Sequence, residues 1–237
     1  MGIQEYGVSK DNFLKYISEQ AKLRIDDYLL SAIEVAEEVH SGLKREDGFS
    51  SFLETHIWPV TIDVVKHYKL MNRNITSVEI ASAILHDILE DNDRILDWYQ
   101  TKSYGFEAYL HYRFGKRIYE IATQLKVRPM ENYPGFNAEE RELNRFQEYR
   151  DILTNAEYDI KTIKLSDRIN NMRFIIERTQ LTAHAMFDKT KRYLRESEDF
   201  YLCYTMLPPK MPDYYRTLRK AYEELRSIYY RQIFKSG

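Results

Sequence analysis

The chain contains few of the residues that break helices, form disulfides or anchor a protein in a membrane. Its 237 residues include 8 glycines, 6 prolines and a single cysteine, Cys203. One cysteine cannot form an internal disulfide, and no segment combines the basic start, apolar run and small-residue cleavage site of a secretory signal. These absences favour a reducing, cytoplasmic location.

Long hydrophobic runs and a dominant sign of charge are also missing. The apolar runs are far shorter than the ~20 residues that a membrane-spanning helix needs. The formal net charge of -2 provides no overall attraction to nucleic acid. With 43% hydrophobic and 30% charged residues, the composition is that of a globular protein. We therefore expect no membrane or nucleic-acid partner, and local charges must bind any anionic ligand.

Apolar residues recur every three to four positions, which is the period of amphipathic helices and predicts an all-α fold. Thr76 followed by Glu79 fits a capping box, and Asp159 and Asp213 are expected as N-caps. Loops are predicted at residues 42–51, 128–136 and 208–212. The predicted helices cover residues 10–23, 26–41, 52–71, 76–90, 103–126, 138–156, 159–178, 184–206 and 213–234.

The 20 tyrosines allow two interpretations. They could stack nucleic-acid bases along a binding surface, or they could pack against the core with their hydroxyls in water. Most lie at helical spacing beside apolar residues, which favours packing.

The segment ASAILHDILED at residues 81–91 places ionisable side chains in an otherwise apolar stretch. Burying such groups without compensation is costly, so the cluster requires a cation or solvent. If the segment is helical, His86 lies one turn before Glu90 and Asp87 one turn before Asp91, and the two polar stripes could line one wall of a pocket. The alternative is a solvated helix end where His86 caps or hydrogen-bonds locally.

Two further segments are ambiguous when taken singly. Asp167 and Asn171 share one face of a predicted helix, but Asp167 beside Arg168 could be a surface ion pair. His56 lies two residues before Trp58, and a lone histidine near aromatic residues is more often packed or partly exposed than a ligand. Taken together, two imidazoles and two carboxylates suit Mn²⁺ or a similar divalent cation with open positions for water and phosphate oxygen.

Four motifs follow one another along the chain: His40-x-Gly42-x-x-Arg45-x-x-Gly48, then His56, then His86-Asp87-x-x-Glu90-Asp91, and Lys164-Leu165-Ser166-Asp167-Arg168-x-x-Asn171-Met172-Arg173. With these motifs, residues 20–205 resemble the hydrolase domain of RelA/SpoT homologues, an HD-type family, and in size the chain is similar to the small alarmone hydrolases. The resemblance implies one helical domain at residues 20–206, with an N-terminal helical extension at 1–19 and a packing or lid helix at 207–237.

The resemblance also implies a role for each matched position. Glu90 and Asp91 would orient and activate the attacking water. Arg45 would stack on or flank the purine base, and it has the planar, permanent charge for that role, although an ordinary solvated loop arginine is the alternative. The implied metal ligands are His56, His86, Asp87 and Asp167, and the remaining implied substrate-binding residues are Lys126, Asn171, Lys189 and Tyr193.

The chain departs from the family pattern around Arg45 and His56. The segment before His56 is two residues longer than usual, Ile57 replaces a proline, and Asn92 replaces a threonine. Glu46 stands where a lysine is common and puts a negative charge near an anionic substrate, so base and phosphate recognition could differ.

The function implied is metal-dependent hydrolysis of the 3′-pyrophosphate of guanosine tetra- or pentaphosphate, giving GDP or GTP and pyrophosphate. The same core acting on an adenosine alarmone, the 2′-phosphate of NADPH or another nucleotide is the nearest alternative. A non-catalytic alarmone sensor is the alternative from a different class. The expected partner is a small-molecule nucleotide, and the sequence leaves open a homo-oligomer.

Overall fold

The computed structural model describes residues 7–90, 105–178, 186–202 and 211–235. Within these ranges the fold is all-α, as predicted, and β pairing is limited to one isolated bridge between Lys44 and Ser51. None of the described helices combines the length and apolar character needed to cross a lipid bilayer. The helices are α1 Lys10–Tyr16, α2 Asp27–His40, α3 Trp58–Leu70, α4 Ser77–Ile84, α5 Gly105–Leu125, α6 Ala138–Asn155, α7 Tyr158–Arg178, α8 Phe187–Glu196 and α9 Pro212–Lys235.

Short helical turns of other geometry adjoin several of these helices. Wider π-helical turns follow α1 at Ile17–Ala21, precede α3 at Leu53–Ile57 and follow α8 at Ser197–Tyr201. A single 3₁₀ turn, Met130–Asn132, lies in the predicted 128–136 loop.

The chain divides into two compact units, Met1–Lys126 and Val127–Gly237. The sequence instead predicts one domain at 20–206 with extensions at 1–19 and 207–237, and these bounds stay predictions. The predicted N-terminal extension contributes to the core of the first unit. Its Phe13 is fully buried and stacks on Trp58, with the ring centroids 4.6 Å apart.

The core of the first unit forms where α2, α3 and α4 pack together. In α2 the apolar positions Leu29, Ile33 and Ala36 recur at helical spacing, and all are buried. Asp26 begins this helix because its carboxylate accepts a hydrogen bond from the Leu29 amide at 2.9 Å. The buried face of α2 ends at His40, at the edge of the site described below.

Helix α5 is interrupted at Gly115, where φ is 82° and ψ is 173°. This region of backbone conformation is open almost exclusively to glycine. The carbonyl of the preceding residue, Phe114, accepts a hydrogen bond from the Tyr28 hydroxyl at 2.9 Å. Tyr28 of α2 thus binds the backbone carbonyl next to the interruption of α5.

Helix α4 begins as predicted and ends earlier than predicted. The capping box of Thr76 and Glu79 is present. The helix stops at Ile84, Leu85 adopts φ -100° and ψ 14°, and turns follow through Glu90. The prediction of a helix to residue 90, with helical stripes through His86 and Asp87, is therefore wrong.

The second unit is built on α7, which packs against α8 and α9. Helices α7 and α9 begin one residue earlier than predicted, at Tyr158 and Pro212. Asp159 and Asp213 therefore lie inside the first turn, and the N-cap predictions are wrong. A carboxylate in the first turn still interacts favourably with the helix dipole.

Candidate metal centre

A closed loop leads from α2 to the first candidate ligand. Its ends are held together by the Lys44–Ser51 bridge and by the Arg45 amide, which donates to the Ser50 carbonyl at 2.9 Å. Asp47 closes the tip, because its carboxylate accepts hydrogen bonds from the Phe49 and Ser50 amides. The loop therefore fixes the backbone just before the π-helical turn Leu53–Ile57, which carries His56.

Three candidate ligands converge in the first unit. His56 Nε2 lies 3.0 Å from Asp87 Oδ2, and His86 Nε2 lies 3.2 Å from the same oxygen. Donor atoms of the three residues all lie within 4.8 Å of one another. His86 and Asp87 lie in the turns that follow α4, and these adjacent side chains meet there.

A hydrogen bond to the backbone orients the ring of His86. Its Nδ1 lies 2.8 Å from the Ala83 carbonyl oxygen, an acceptor, so Nδ1 carries the proton and donates it. In the neutral ring Nε2 then presents a lone pair toward Asp87 Oδ2. Two lone pairs at this distance repel unless a proton or a cation lies between them. Metal-binding histidines are oriented by the same type of bond.

The charge state of Asp87 also suits cation binding. Burial would raise the pKa of Asp87, but the positive charge of the His86 and His56 rings in their protonated forms, and the hydrogen bonds that these forms donate, lower it more, and the resulting pKa is well below the usual value. The carboxylate is therefore ionised at neutral pH. Two imidazole nitrogens and a carboxylate oxygen form a donor set that Mn²⁺, Fe²⁺ and Zn²⁺ accept, so the residues present fit a divalent metal ion.

Arg45 connects to this cluster through an aromatic ring. Its guanidinium lies 5.7 Å from the centroid of Phe52, and that ring lies 4.8 Å from the ring of His56. Arg45 is only 4% exposed, so the alternative of a solvated loop arginine is wrong. Arg45 Nε lies 3.4 Å from the Glu46 carboxylate. Glu46, which replaces the lysine common in the family that the sequence resembles, therefore contacts Arg45, the residue predicted to flank the base.

His40 belongs to the same cluster, although the sequence gives it no role beyond opening the first motif. It is buried, and its ring lies 5.0 Å from the ring of Phe52. Burial and the nearby His86 and His56 lower the pKa of His40 to about 4, against the opposing effect of Asp87. His40 lies at helical spacing from Ile33 and Ala36 on the buried face of α2, and this spacing is the sequence signal that could have predicted its burial.

The fourth predicted ligand, Asp167, lies in the second unit on α7. It is 6% exposed, forms an ion pair with Lys164 at 2.7 Å and accepts a hydrogen bond from Asn171. The predicted proximity of Asp167 and Asn171 is confirmed. The alternative of a surface ion pair with Arg168 is wrong, because both side chains are buried and Arg168 pairs with Glu196.

The remaining predicted site residues are divided between the two units, with Glu90 and Lys126 in the first and Lys189 and Tyr193 in the second. Lys189 and Tyr193 come together on α8, with Lys189 Nζ 5.5 Å from the ring centroid of Tyr193. Lys126 follows α5 and pairs with Glu107 at 3.0 Å. Glu90 is exposed, in the turn that carries Asp87. Asp91, the other predicted catalytic carboxylate, falls outside the described residues.

No protein-family model matches the chain, and no curated protein matches it.

Proposed function

We propose that the protein is a metal-dependent phosphohydrolase that removes the 3′-pyrophosphate of guanosine tetra- or pentaphosphate. The observation that supports it most is the convergence of His56 and His86 on Asp87 Oδ2. A mixed nitrogen and oxygen donor set in which both imidazoles are buried and the carboxylate is partly exposed, with the His86 ring oriented by a backbone hydrogen bond, is typical of a catalytic divalent cation. The sequence resemblance supplies the reaction and the substrate.

In this proposal His56, His86 and Asp87 would hold Mn²⁺ or a similar cation, with Asp167 as the fourth ligand predicted from the sequence. Such a cation would supply a lowered pKa for a bound water molecule and would neutralise phosphate charge. Glu90 and Asp91 orient the attacking water and accept its proton, since an ionised carboxylate within hydrogen-bond reach is a competent base.

The other predicted residues bind the nucleotide. Lys126, Lys189 and Tyr193 bind phosphate oxygens, where preorganised donors stabilise the developing charge, and Asn171 binds the ribose or the neighbouring phosphate. Arg45 flanks the purine. One water is consumed, the bond between the 3′ oxygen and phosphorus breaks, and the free 3′ hydroxyl and pyrophosphate leave.

A second candidate is the same chemistry on a different phosphorylated nucleotide, such as an adenosine alarmone or NADPH. The contact between Arg45 and Glu46 favours it, because the carboxylate partly neutralises the residue predicted to flank the base. Glu46 also places a negative charge where an anionic substrate would approach.

The test is a turnover assay on purified protein with Mn²⁺ and a panel of phosphorylated nucleotides, following release of pyrophosphate and inorganic phosphate. Pyrophosphate from the guanosine alarmone supports the first proposal, and turnover confined to another nucleotide supports the second. Binding of a nucleotide without turnover would instead indicate a non-catalytic alarmone sensor. Absence of both binding and turnover, under conditions where a control hydrolase is active, would exclude both hydrolase functions and the sensor function.

A further inference from the structure

A group of buried charges ties three helices of the second unit together. Glu196, at the end of α8, is 2% exposed and Arg168 on α7 is 6% exposed. The Glu196 carboxylate accepts hydrogen bonds from Arg168 and, at 2.8 Å, from Arg145 on α6. Buried charges persist only when they are paired and hydrogen-bonded. Arg168 therefore has a fixed position set by Glu196.

The guanidinium of Arg168 also contacts two tyrosine rings. Its central carbon lies 4.1 Å from the ring centroid of Tyr193 and 4.5 Å from that of Tyr201. A planar guanidinium can lie against aromatic faces while it donates hydrogen bonds from its edge, whereas a lysine ammonium is a compact point charge. Arginine is thus suited to hold both rings and the Glu196 carboxylate at once.

These contacts place Arg168 between two groups of predicted site residues. Asp167, the predicted fourth ligand, is its neighbour in sequence. Tyr193, predicted to contact phosphate, lies against it and also against Lys189. Arg168 and Tyr193 are both buried, at 6% and 8% exposed. Because the edge of the Arg168 guanidinium is held by Glu196 and its face by the Tyr193 ring, Arg168 can affect a predicted phosphate-binding residue through its contact with Tyr193.

We infer that Arg168 is a positioning residue: stacked on Tyr193 and paired with Glu196, it fixes the orientation of the Tyr193 side chain toward the phosphates of the substrate. The contact between Arg168 and Tyr193 is observed in the structure. The effect of this contact on substrate binding rests on the proposed function. The position of the Tyr193 ring and its effect on turnover are therefore tested by two separate measurements.

The first measurement follows the Tyr193 ring without reference to activity. The full chain carries 3-fluorotyrosine at position 193, and its ¹⁹F NMR signal is compared between Arg168→Lys and Arg145→Lys. Both substitutions keep a positive charge beside Glu196, but Arg168→Lys alone removes the planar group from the Tyr193 ring. We expect a broadened or split signal for Arg168→Lys and an unchanged signal for Arg145→Lys. An unchanged signal in Arg168→Lys, or equal changes in both, would overturn the inference.

The second measurement is a double-mutant cycle on turnover with Arg168→Lys and Tyr193→Ala. If Arg168 acts through Tyr193, Arg168→Lys raises KM and lowers kcat/KM by up to about a hundredfold, and adding it to Tyr193→Ala causes no further loss. Independent, additive losses would show that Arg168 does not act through Tyr193 and would overturn the inference. A wild-type protein without turnover would count against the proposed function, while the NMR comparison still decides the role of Arg168.

Discussion

The two nitrogens of the His86 ring have different partners. Nδ1 donates to the Ala83 carbonyl and Nε2 faces Asp87. His56 Nε2 faces the same carboxylate oxygen. At the residue scale, the candidate metal site therefore depends on Asp87, which both rings face. Glu90 is the nearby carboxylate that is predicted to activate water.

Replacing Asp87 by Ala should abolish retention of Mn²⁺ and activity together, because the oxygen that both rings face is removed. Glu90→Ala should retain Mn²⁺ and lower kcat by about 10²–10⁴-fold, the usual contribution of a general base. Metal content after gel filtration and steady-state kinetics measure the two effects. Asp63→Ala, which removes a carboxylate of α3 that pairs with Lys66, is the control and should retain both. Full activity in Glu90→Ala would remove Glu90 from the mechanism.

A pH-dependent stability is expected from Glu196. Burial would raise the pKa of Glu196, but Arg168, Arg145 and Arg192 lower it more, so the folded-state pKa lies below its ordinary value of 4.5. A carboxyl whose pKa is lowered by folding stabilises the protein above the unfolded-state pKa. This contribution is lost as the pH falls from about 4.5 through the lowered folded-state pKa.

Glu196→Gln should therefore lower the free energy of unfolding at neutral pH by about 3–5 kcal/mol, because it leaves the buried Arg168 and the partly buried Arg145 without their carboxylate. Its stability should also change less with pH below 4.5 than that of the wild type. Urea denaturation over this range measures both effects. Glu148→Gln, which removes the exposed partner of Arg128, should leave the pH profile unchanged. Equal slopes for Glu196→Gln and wild type would contradict the assignment.

At the scale of elements, the interruption of α5 depends on one residue. Gly115→Ala places a side chain at φ 82° and ψ 173°, where the backbone is strained for every residue except glycine. Because nothing lies within 4 Å of the added Cβ, the cost is conformational and amounts to about 1–3 kcal/mol. Chemical denaturation measures the change.

Gly7→Ala is the matched control for Gly115→Ala. An added Cβ at Gly7 would meet Glu54 and Thr55 at an ordinary van der Waals distance of 3.7 Å, so we expect little change in stability. A Gly115→Ala variant as stable as the wild type would show that the interruption tolerates another conformation.

Most of the elements could be predicted from the sequence, because apolar periodicity and capping residues act locally. The capping box at Thr76 and the start of α2 near Asp26 follow from such signals. The early end of α4 could not be predicted, since apolar residues continue through Leu89. These residues are buried in turns instead, and tertiary packing there outweighs helical periodicity.

The candidate site was predictable as a set of residues but not as an arrangement. Ordered spacing and the family resemblance selected His56, His86 and Asp87. The contribution of His40 and the burial of Arg45 depend on Phe52, whose ring contacts both. Such contacts between side chains distant in sequence leave no periodic pattern.

At the scale of the whole molecule, metal binding should be coupled to stability. A ligand that binds only the folded state stabilises it by about 2.7 kcal/mol at a concentration one hundred times its Kd. Mn²⁺ should therefore raise the Tm of the wild type and have no effect on Asp87→Ala. Thermal unfolding with and without Mn²⁺ measures this difference.

The same measurement tests Asp167 as the fourth ligand. Removing a ligand carboxylate should lower the affinity for Mn²⁺ and reduce the shift in Tm for Asp167→Ala. Asp151→Ala, which removes an exposed carboxylate bonded to Gln147 on α6, should show the full shift. An undiminished shift in Asp167→Ala would exclude it from the ligand set.

The π-helical turn at Leu53–Ile57 makes the site sensitive to chain length as well as to residue type. His56 lies within this wide turn, immediately before α3. Deleting Ile57, the last residue of the turn, would rotate the preceding backbone by about 100° around the helix axis and carry His56 away from Asp87. Insertions and deletions here are therefore expected to be more damaging than conservative substitutions of the exposed Glu54.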